Sequence, residues 1–236
     1  MISNSDIALL KDIVQSRFSF GENPDDIMCT TTDGDPIDDC DAFWGDPDIA
    51  DVKYGCSKVV LFYNYLGDYV LKIPFLGECT KDGVYHNFTN AICGSENENN
   101  WDYCRAEEIV YELACGEGLA DLFCGTRHLC DIQGFPVYVS EMSESALEED
   151  ATPHHSSAAG LAYIKSKRQE PGKQFYYAPA DMDDDTIGMF YDSWGKELTD
   201  KLLDFLVDND IRDCHNGNVA FRDGKIRLID YSSFYR

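Results

Sequence analysis

The sequence predicts an α+β protein, because segments with strand and helix patterns follow one another in blocks. Two strand-like segments at residues 52–62 and 68–75 precede a helical segment at 101–118, and another strand follows at 135–142. A mostly helical region comes next, and a β-hairpin comes last. This order predicts two subdomains, one rich in β-structure and one mostly helical.

The length and the charge limit the classes of partner. With 236 residues, the chain is long enough for one large domain or one domain in two lobes. Hydrophobic residues make up 44%, which indicates a folded chain. The formal net charge of -25, from 44 acidic and 19 basic residues, repels phosphate backbones and anionic lipid surfaces. We therefore expect neither nucleic acid nor a membrane among the partners.

Cysteine usage and the N-terminus indicate a cytoplasmic protein. The ten cysteines are scattered without a Cys-x-x-Cys pair, so the spacing of a zinc ribbon is absent. The first residues lack the basic region and apolar run of a signal peptide, and no apolar stretch approaches ~20 residues. We expect reduced thiols, many of them buried as small apolar side chains.

The N-terminal 50 residues are predicted to form a helix and an acidic extension. Residues 4–16 begin with capping residues and then place Ile7, Leu10, Ile13 and Val14 at helical spacing. Residues 21–51 are rich in Asp, Gly, Pro and Thr, which predicts a loop.

The next segments alternate between strands, turns and one helix. A turn at residues 64–67 joins the first two strands, and residues 77–100 are predicted to be a polar loop. In the helix at 101–118, apolar residues at helical spacing predict the buried stripe, and Gly116 and Gly118 end it. That stripe consists of Ala106, Ile109, Val110, Leu113 and Ala114.

The last third contains one long helix and the hairpin. Residues 143–190 are acidic and irregular, which predicts loops broken by short helices. Residues 194–208 form a helix with leucines and Phe205 facing a core, and Asp223-Gly224 turns strands at 218–221 and 225–229.

Asp213, Asn218 and Asp230 form the constellation with the clearest chemistry. Asp and Asn oxygens can hold a divalent cation beside a nucleotide phosphate, while another carboxylate orients an attacking hydroxyl. The spacing Asp-x4-Asn, then twelve positions to Asp, places all three at one end of a tight hairpin. The alternative is a set of caps and turn formers around a β-turn.

These residues resemble the catalytic elements of the protein-kinase-like superfamily. Arg212-Asp-Cys-His-Asn-Gly-Asn218 resembles its catalytic loop, and Leu228-Ile-Asp-Tyr-Ser232 resembles its Asp-Phe-Gly element. His215 makes the loop more similar to the small-molecule and atypical kinase branches. The resemblance implies that Asp213 is catalytic and that Asn218 and Asp230 hold the metal.

Two upstream positions are similar to the family's ion pair. Lys72, in an apolar strand after a turn, resembles the strand-three lysine that contacts the nucleotide phosphates. Glu107 resembles the helix glutamate that holds this lysine, with Glu108 as a rival and Glu112 as a further option. The alternatives are a lysine extending from a sheet face and an exposed helical glutamate.

Nucleotide contacts are also implied at the hinge and at the glycine-rich loop. Residues 137–143 resemble the strand and hinge that present backbone groups to adenine, with Ser140 as gatekeeper and Glu141 and Ser143 at the nucleotide. Gly55 and Ser57 would cover the phosphates, although this loop keeps one glycine where the family often has three.

The resemblance implies a two-lobed kinase-like fold that binds ATP and Mg²⁺. Residues 51–142 would form a β-rich N-lobe and residues 143–236 a reduced, mostly helical C-lobe. The chain is similar to minimal kinases of bacteria and phages that stop soon after the Asp-Phe-Gly element.

Two classes of function follow from this resemblance. The first is a phosphotransferase whose hydroxyl acceptor is a protein Ser/Thr or a small molecule. The second is a pseudokinase, a nucleotide-binding interaction module, which the single glycine and the missing peptide platform favour. The fold alone does not decide between them.

Overall fold

The computed structural model describes residues 2–17, 48–54, 58–74, 102–132, 135–145, 155–169, 182–231 and 233–234. Most of the predicted loop at 21–51 and all of that at 77–100 lie outside these residues. The chain divides into a sheet unit, residues 2–105 and 126–141, and a helical unit, residues 106–125 and 142–236. Each unit has its own hydrophobic core. The predicted α+β class is confirmed.

The sheet unit is built on five antiparallel strands. They are β1 (Ile49–Tyr54), β2 (Lys58–Tyr63), β3 (Tyr69–Pro74), β4 (Thr126–Ile132) and β5 (Phe135–Glu141). Their order in space is β1-β2-β3-β5-β4, so β3 is the central strand. The strands predicted at 68–75 and 135–142 are confirmed as β3 and β5.

The single strand predicted at 52–62 is wrong, because this segment forms two strands. Val52 pairs with Leu61 and Tyr54 with Val59, so the chain reverses direction between β1 and β2. The intervening Gly-Cys-Ser at 55–57 lies outside the described residues. Small residues led by a glycine favour a reversal over a continuous strand, and the apolar runs on either side concealed this.

Strand β4 was not predicted at all. Its register with β5 shifts between His128 and Cys130, and both Leu129 and Cys130 are buried. Such a bulge breaks the two-residue alternation by which a strand is recognised. The strand also lies at the edge of the sheet, where polar side chains such as Arg127 are tolerated.

Helix α1 (Asn4–Arg17) confirms the predicted N-terminal helix. Leu10 and Val14 are buried and Ile7 is half-buried against the core of the sheet unit. On the sheet, Leu61, Leu71 and other apolar residues that alternate along the strands complete this core. One face of the sheet is therefore covered by α1, and the opposite face carries the intervening residues.

Helix α2 (Tyr103–Gly116) confirms the helix predicted at 101–118, but its buried stripe differs from the predicted one. Ala106, Val110 and Ala114 are buried as expected, whereas Ile109 is 38% and Leu113 is 42% exposed. Instead of Ile109 and Leu113, the fold buries Glu107, Glu108 and Tyr111. A buried face predicted from apolar periodicity alone is misplaced here, because two of the residues that the fold buries are acids.

The helical unit also contains α3 (Ala158–Arg168) and α4 (Asp184–Asp208). The helix predicted at 194–208 corresponds to the part of α4 that follows the break at Gly195. The part before the break begins at Asp184, where Asp183 accepts a hydrogen bond from Thr186 N at 2.7 Å. Gly195, with φ 76° and ψ 174°, interrupts the helix. No helix in the described segments combines the length and the apolarity needed to cross a bilayer.

The predicted hairpin is confirmed as β8 (Val219–Arg222) and β9 (Lys225–Leu228). Asp223 and Gly224 have φ values of 54° and 71°, the positive pair that a two-residue type I′ turn requires. Two pairings were not predicted, because two-residue strands carry no periodicity. Strand β6 (Glu144–Ser145) pairs with β8, and β7 (Ile211–Arg212) pairs with β10 (Ser233–Phe234).

The cysteines of the described segments are free thiols. Cys104, Cys124, Cys130 and Cys214 are buried, and Cys115 is half-buried. Burial raises the pKa of the Cys130 thiol, because the thiolate would lose its hydration. These residues pack as small apolar side chains, as expected.

Candidate active site

The loop that carries Asp213 joins β7 to β8 and is anchored on both sides of this residue. Ile211 and Cys214 are fully buried, and Cys214 Sγ contacts Arg212 O at 3.6 Å. Asp213 is exposed and has a φ of 63°, a left-handed conformation. Such a conformation is uncommon for residues other than glycine, but Asp adopts it more readily than most, and Asp210 and Asp223 share it here. The fold therefore holds Asp213 at the surface in a left-handed conformation.

Asn218 fixes the backbone of Asp213. Its Nδ2 donates a hydrogen bond to Asp213 O at 2.6 Å, which sets the orientation of the amide. Because the amide nitrogen is engaged there, Oδ1 is the atom that the side chain presents on its other side. Asn218 N also donates to His215 O at 2.9 Å and closes the single 3-10 turn that contains it.

Asp230 lies just beyond the end of β9. Strand β9 pairs with β8, which begins immediately after Asn218. Val219 pairs with Leu228, and Ile229 N donates to Asn218 O at 3.0 Å, which continues this pairing by one residue. Asp230 is half-buried. The hairpin therefore brings Asp213, Asn218 and Asp230 to one end of β8 and β9, as their spacing predicted.

Tyr231 locks the segment that contains Asp230, and this residue was missed as a site residue. Its side chain is fully buried, and its OH donates to Cys124 O at 2.8 Å. Cys124 N in turn donates to Leu228 O at 2.8 Å, and Phe123 packs edge-to-face on the Tyr231 ring at 5.0 Å. The aromatic residue after Asp230 was the available signal, but its partner is 107 positions away in the sequence.

Asn218 and Asp230 provide two oxygen donors at this end of the hairpin, which is fewer than a metal ion needs. Asn218 and Asp230 supply an amide oxygen and a carboxylate, the hard ligands that Mg²⁺ takes together with phosphate oxygens and water. Within the described residues, no group of three or more His, Cys, Asp and Glu side chains is arranged to hold a metal ion. A cation here would need further ligands from a bound phosphate.

Lys72 lies on β3, the central strand of the sheet unit, and is only 5% exposed. It alternates with the core residues Leu71 and Ile73, so it belongs to the sheet face opposite α1. Its cross-strand neighbours Val60 and Tyr138 share that face. Burial of an ammonium group is costly unless opposite charge or hydrogen bonds compensate it, which separates Lys72 from an ordinary surface lysine.

The same face carries further polar groups in the sheet unit. Lys58 is 4% exposed and shares this face, because the Lys58–Pro74 pair lies two residues from the Val60–Lys72 pair. Ser140 is buried and accepts a hydrogen bond from Thr126 Oγ1 at 3.2 Å. The sheet therefore has one apolar face and one face that combines apolar residues with buried cations and hydroxyls.

The glutamates of α2 differ in burial. Glu107 is 0% and Glu108 is 4% exposed, whereas Glu112 is exposed. The alternative of an exposed helical glutamate is therefore wrong for Glu107 and Glu108. Of the three glutamates, only Glu112 is solvent-exposed.

The predicted hinge residues lie at the end of β5 and directly after it. Glu141 is 6% exposed at the last position of β5. Met142 O accepts a hydrogen bond from Arg222 Nη1 at 2.6 Å, which ties the next segment to β8, and Ser143 is half-buried. Gly55 and Ser57, the predicted phosphate-loop residues, lie outside the described part of the chain.

Comparisons with known proteins identify no relative of this chain. The chain matches no family model, no curated protein and no solved structure. An interpretation of the site therefore rests on its residues and their geometry.

Proposed function

We propose that the chain is an ATP- and Mg²⁺-dependent phosphotransferase that acts on a hydroxyl acceptor. The observation that carries the proposal is the arrangement of Asp213, Asn218 and Asp230. The Asn218 amide holds the backbone of Asp213, and the β8–β9 pairing brings Asp230 to the same end of the hairpin.

The proposed roles follow from the chemistry of each side chain. The Asp213 carboxylate orients the acceptor hydroxyl and takes its proton as the oxygen attacks phosphorus. Asn218 Oδ1 and the Asp230 carboxylate would hold the cation. When bound, MgATP supplies the terminal phosphoryl group and the positive charge that stabilises its transfer.

Lys72 is assigned to the nucleotide phosphates, and Glu107 or Glu108 to its support. The burial of Lys72 on a central strand favours a defined partner over a solvated lysine. Glu141 and Ser143 are assigned to the adenine hinge, and Gly55 and Ser57 to the phosphate-covering loop.

The proposal extends to a two-lobed, kinase-like architecture and a cytoplasmic location. An antiparallel sheet with lysine on its third strand, then a helix with buried glutamates, then the Asp-x4-Asn hairpin is the order that the resemblance implies. The acceptor is a protein Ser/Thr or a small molecule.

Thermal melting with and without MgATP tests the nucleotide site. A ligand at 100 times its Kd stabilises the folded state by ~2.7 kcal/mol, which is a measurable rise in Tm. We expect this rise in the wild type and its loss in Asp230→Ala. Asp208→Ala is the matched control, because it removes an exposed carboxylate from the same unit and should keep the full shift.

Turnover of ATP in the Asp213→Asn variant tests the chemistry. Loss of a general base lowers the rate by about 10²–10⁴-fold while nucleotide binding remains. Wild-type turnover in this variant would contradict the assignment of Asp213. A Mg²⁺-dependent Tm shift with no turnover in the wild type would instead identify a nucleotide-binding module, and no shift at millimolar MgATP would contradict both functions.

A further inference from the structure

We propose that His215 is a positioning residue that holds the Asp213 carboxylate for proton transfer, an inference that rests on the proposed function. In this role the imidazole binds the loop backbone through Nδ1 and donates its Nε2 proton to Asp213. The sequence singled out His215 only as a mark of resemblance to one kinase branch.

The contacts of the ring define its tautomer. Gly217 N lies 3.0 Å from His215 Nδ1, and a backbone N–H can only donate, so Nδ1 is the acceptor. The neutral ring therefore carries its proton on Nε2. Nε2 lies 3.3 Å from Asp213 Oδ1, so the nitrogen that carries the proton is the one that lies within ion-pair distance of the carboxylate.

The backbone of the loop is shaped around the ring. A Cβ added at Gly217 would lie 2.8 Å from His215 Cε1 and 3.0 Å from Nδ1, so the exposed ring would have to shift to admit it. A larger residue at 217 would therefore displace the imidazole. Asp213 is then held twice, because Asn218 Nδ2 binds its carbonyl and His215 contacts its carboxylate.

Stability does not account for this arrangement. The side chains of His215 and Asp213 are 49% and 53% exposed, and a pair this exposed contributes about 0–1 kcal/mol. Orientation of a catalytic carboxylate is a different matter, because a misplacement of about 1 Å at a reacting group costs ~10²-fold in rate.

Two substitutions separate the two nitrogens of the ring. His215→Asn places an acceptor where Nδ1 lies, so it keeps the cap on Gly217 N but does not reach Asp213. His215→Gln places a donor where Nε2 lies, so it reaches Asp213 without the cap. A purely structural role predicts that Asn preserves activity, whereas the positioning role predicts that Gln does.

The experiment measures kcat and KM for MgATP turnover, together with Tm, for both variants. We expect His215→Asn to keep its Tm and its KM for ATP but to lower kcat about 10- to 100-fold. We expect His215→Gln to recover most of that rate. In an Asp213→Asn background, His215→Asn should have no further effect on kcat, because the two residues act as a unit.

Nuclear magnetic resonance of the ¹⁵N-labelled wild type tests the geometry without turnover. The ring nitrogens of neutral His215 should report an unprotonated Nδ1 and a protonated Nε2. A protonated Nδ1, or an Asn variant with wild-type kcat, would overturn the proposal. If the wild-type protein shows the expected tautomer but transfers phosphate to no acceptor, the proposed function is overturned. The His215–Asp213 contact would then have no catalytic role.

Discussion

Asp200 is the residue whose electrostatics the structure defines most clearly. Its carboxylate accepts hydrogen bonds from Tyr163 OH at 2.7 Å and from Lys196 Nζ at 2.5 Å, and it pairs with Lys167 Nζ at 2.8 Å. Partial burial acts to raise the pKa of Asp200, but Lys167, Lys196 and Tyr163 outweigh it and lower this pKa to about 2. Because Lys167 and Tyr163 belong to α3, this carboxylate links α3 to α4.

Replacement of Asp200 by Asn should destabilise the fold by about 1–3 kcal/mol, because Lys167, 8% exposed, loses the carboxylate beside it. Urea denaturation measures this difference. Glu197→Gln is the control, since it removes a carboxylate from a solvent-exposed i,i+4 pair with Lys201 on the same helix. Little change in Glu197→Gln is expected. An Asp200→Asn variant as stable as the wild type would show that the network contributes nothing.

Acid should remove the stabilisation that the Asp200 carboxylate provides. The pKa of Asp200 is lower in the folded chain than its ordinary value of 3.8, so protons favour the unfolded state. The stabilisation, about 1–2 kcal/mol after a discount for solvent screening, is complete above about pH 4 and is lost toward pH 2. The stability difference between wild type and Asp200→Asn should therefore narrow over that range, and a constant difference would contradict the assignment.

At the residue scale, the identity of the candidate site was predictable and its supports were not. The spacing of Asp213, Asn218 and Asp230 around a turn is a local property, so the sequence selected them. Tyr231 supports Asp230 through Cys124, which lies on a segment far away in the chain. Such contacts leave no periodic or local trace.

Among the elements, the contact between α3 and α4 depends on a close approach at two glycines. A Cβ at Gly160 would lie 2.7 Å from Gly188 O, and a Cβ at Gly188 would lie 2.4 Å from Ser156 Cβ. Both values are shorter than real Cβ contacts, and one neighbour is backbone. The two helices can therefore pack this closely only without side chains at these positions.

Gly160→Ala should cost about 1–3 kcal/mol, because the backbone of α4 must move to admit the methyl group. Gly116→Ala is the matched control at the end of α2, where a Cβ would meet nothing within 4 Å. That control should be neutral or stabilise by about 0.5–1 kcal/mol. Chemical denaturation measures the free energy of unfolding of both variants. Equal values for Gly160→Ala and Gly116→Ala would contradict the close packing of α3 and α4.

Gly195→Ala should also destabilise, for a different reason. A Cβ at Gly195 would meet nothing within 4 Å, so no steric contact opposes it. The backbone angles of φ 76° and ψ 174° lie in a region reserved for glycine, and another residue costs about 1–3 kcal/mol there. Calorimetry should show a lower Tm, whereas an unchanged Tm would mean that the helix straightens at no cost.

Elements with regular periodicity were predictable, and irregular ones were not. Helices α1 and α2 and the β8–β9 hairpin each carry a pattern that their own residues determine. Strand β4 carries a bulge, and the buried face of α2 includes two glutamates, so this strand and this helix face depart from the pattern on which prediction relies. In each case the neighbouring elements decide which residues are buried.

For the molecule as a whole, charge is the dominant feature. With a net charge of -25, the folded chain repels itself at neutral pH. Raising NaCl from about 10 mM to about 1 M shortens the screening length from roughly 30 Å to 3 Å and should raise the Tm. Sulfate at the same ionic strength is the comparison, because it also acts by exclusion from the surface. A Tm that falls with NaCl would mean that attractive pairs outweigh the repulsion.

The sequence by itself determined the α+β class, helices α1 and α2, strands β3, β5, β8 and β9, and the three residues of the candidate site, because these depend on composition, periodicity and short spacing. Only the tertiary structure decided that Lys72 lies on the central strand, that Glu107 and Glu108 are buried, and that His215 contacts Asp213. Burial and side-chain contact depend on residues distant in the chain, whose effect on a given position appears only when the backbone is folded.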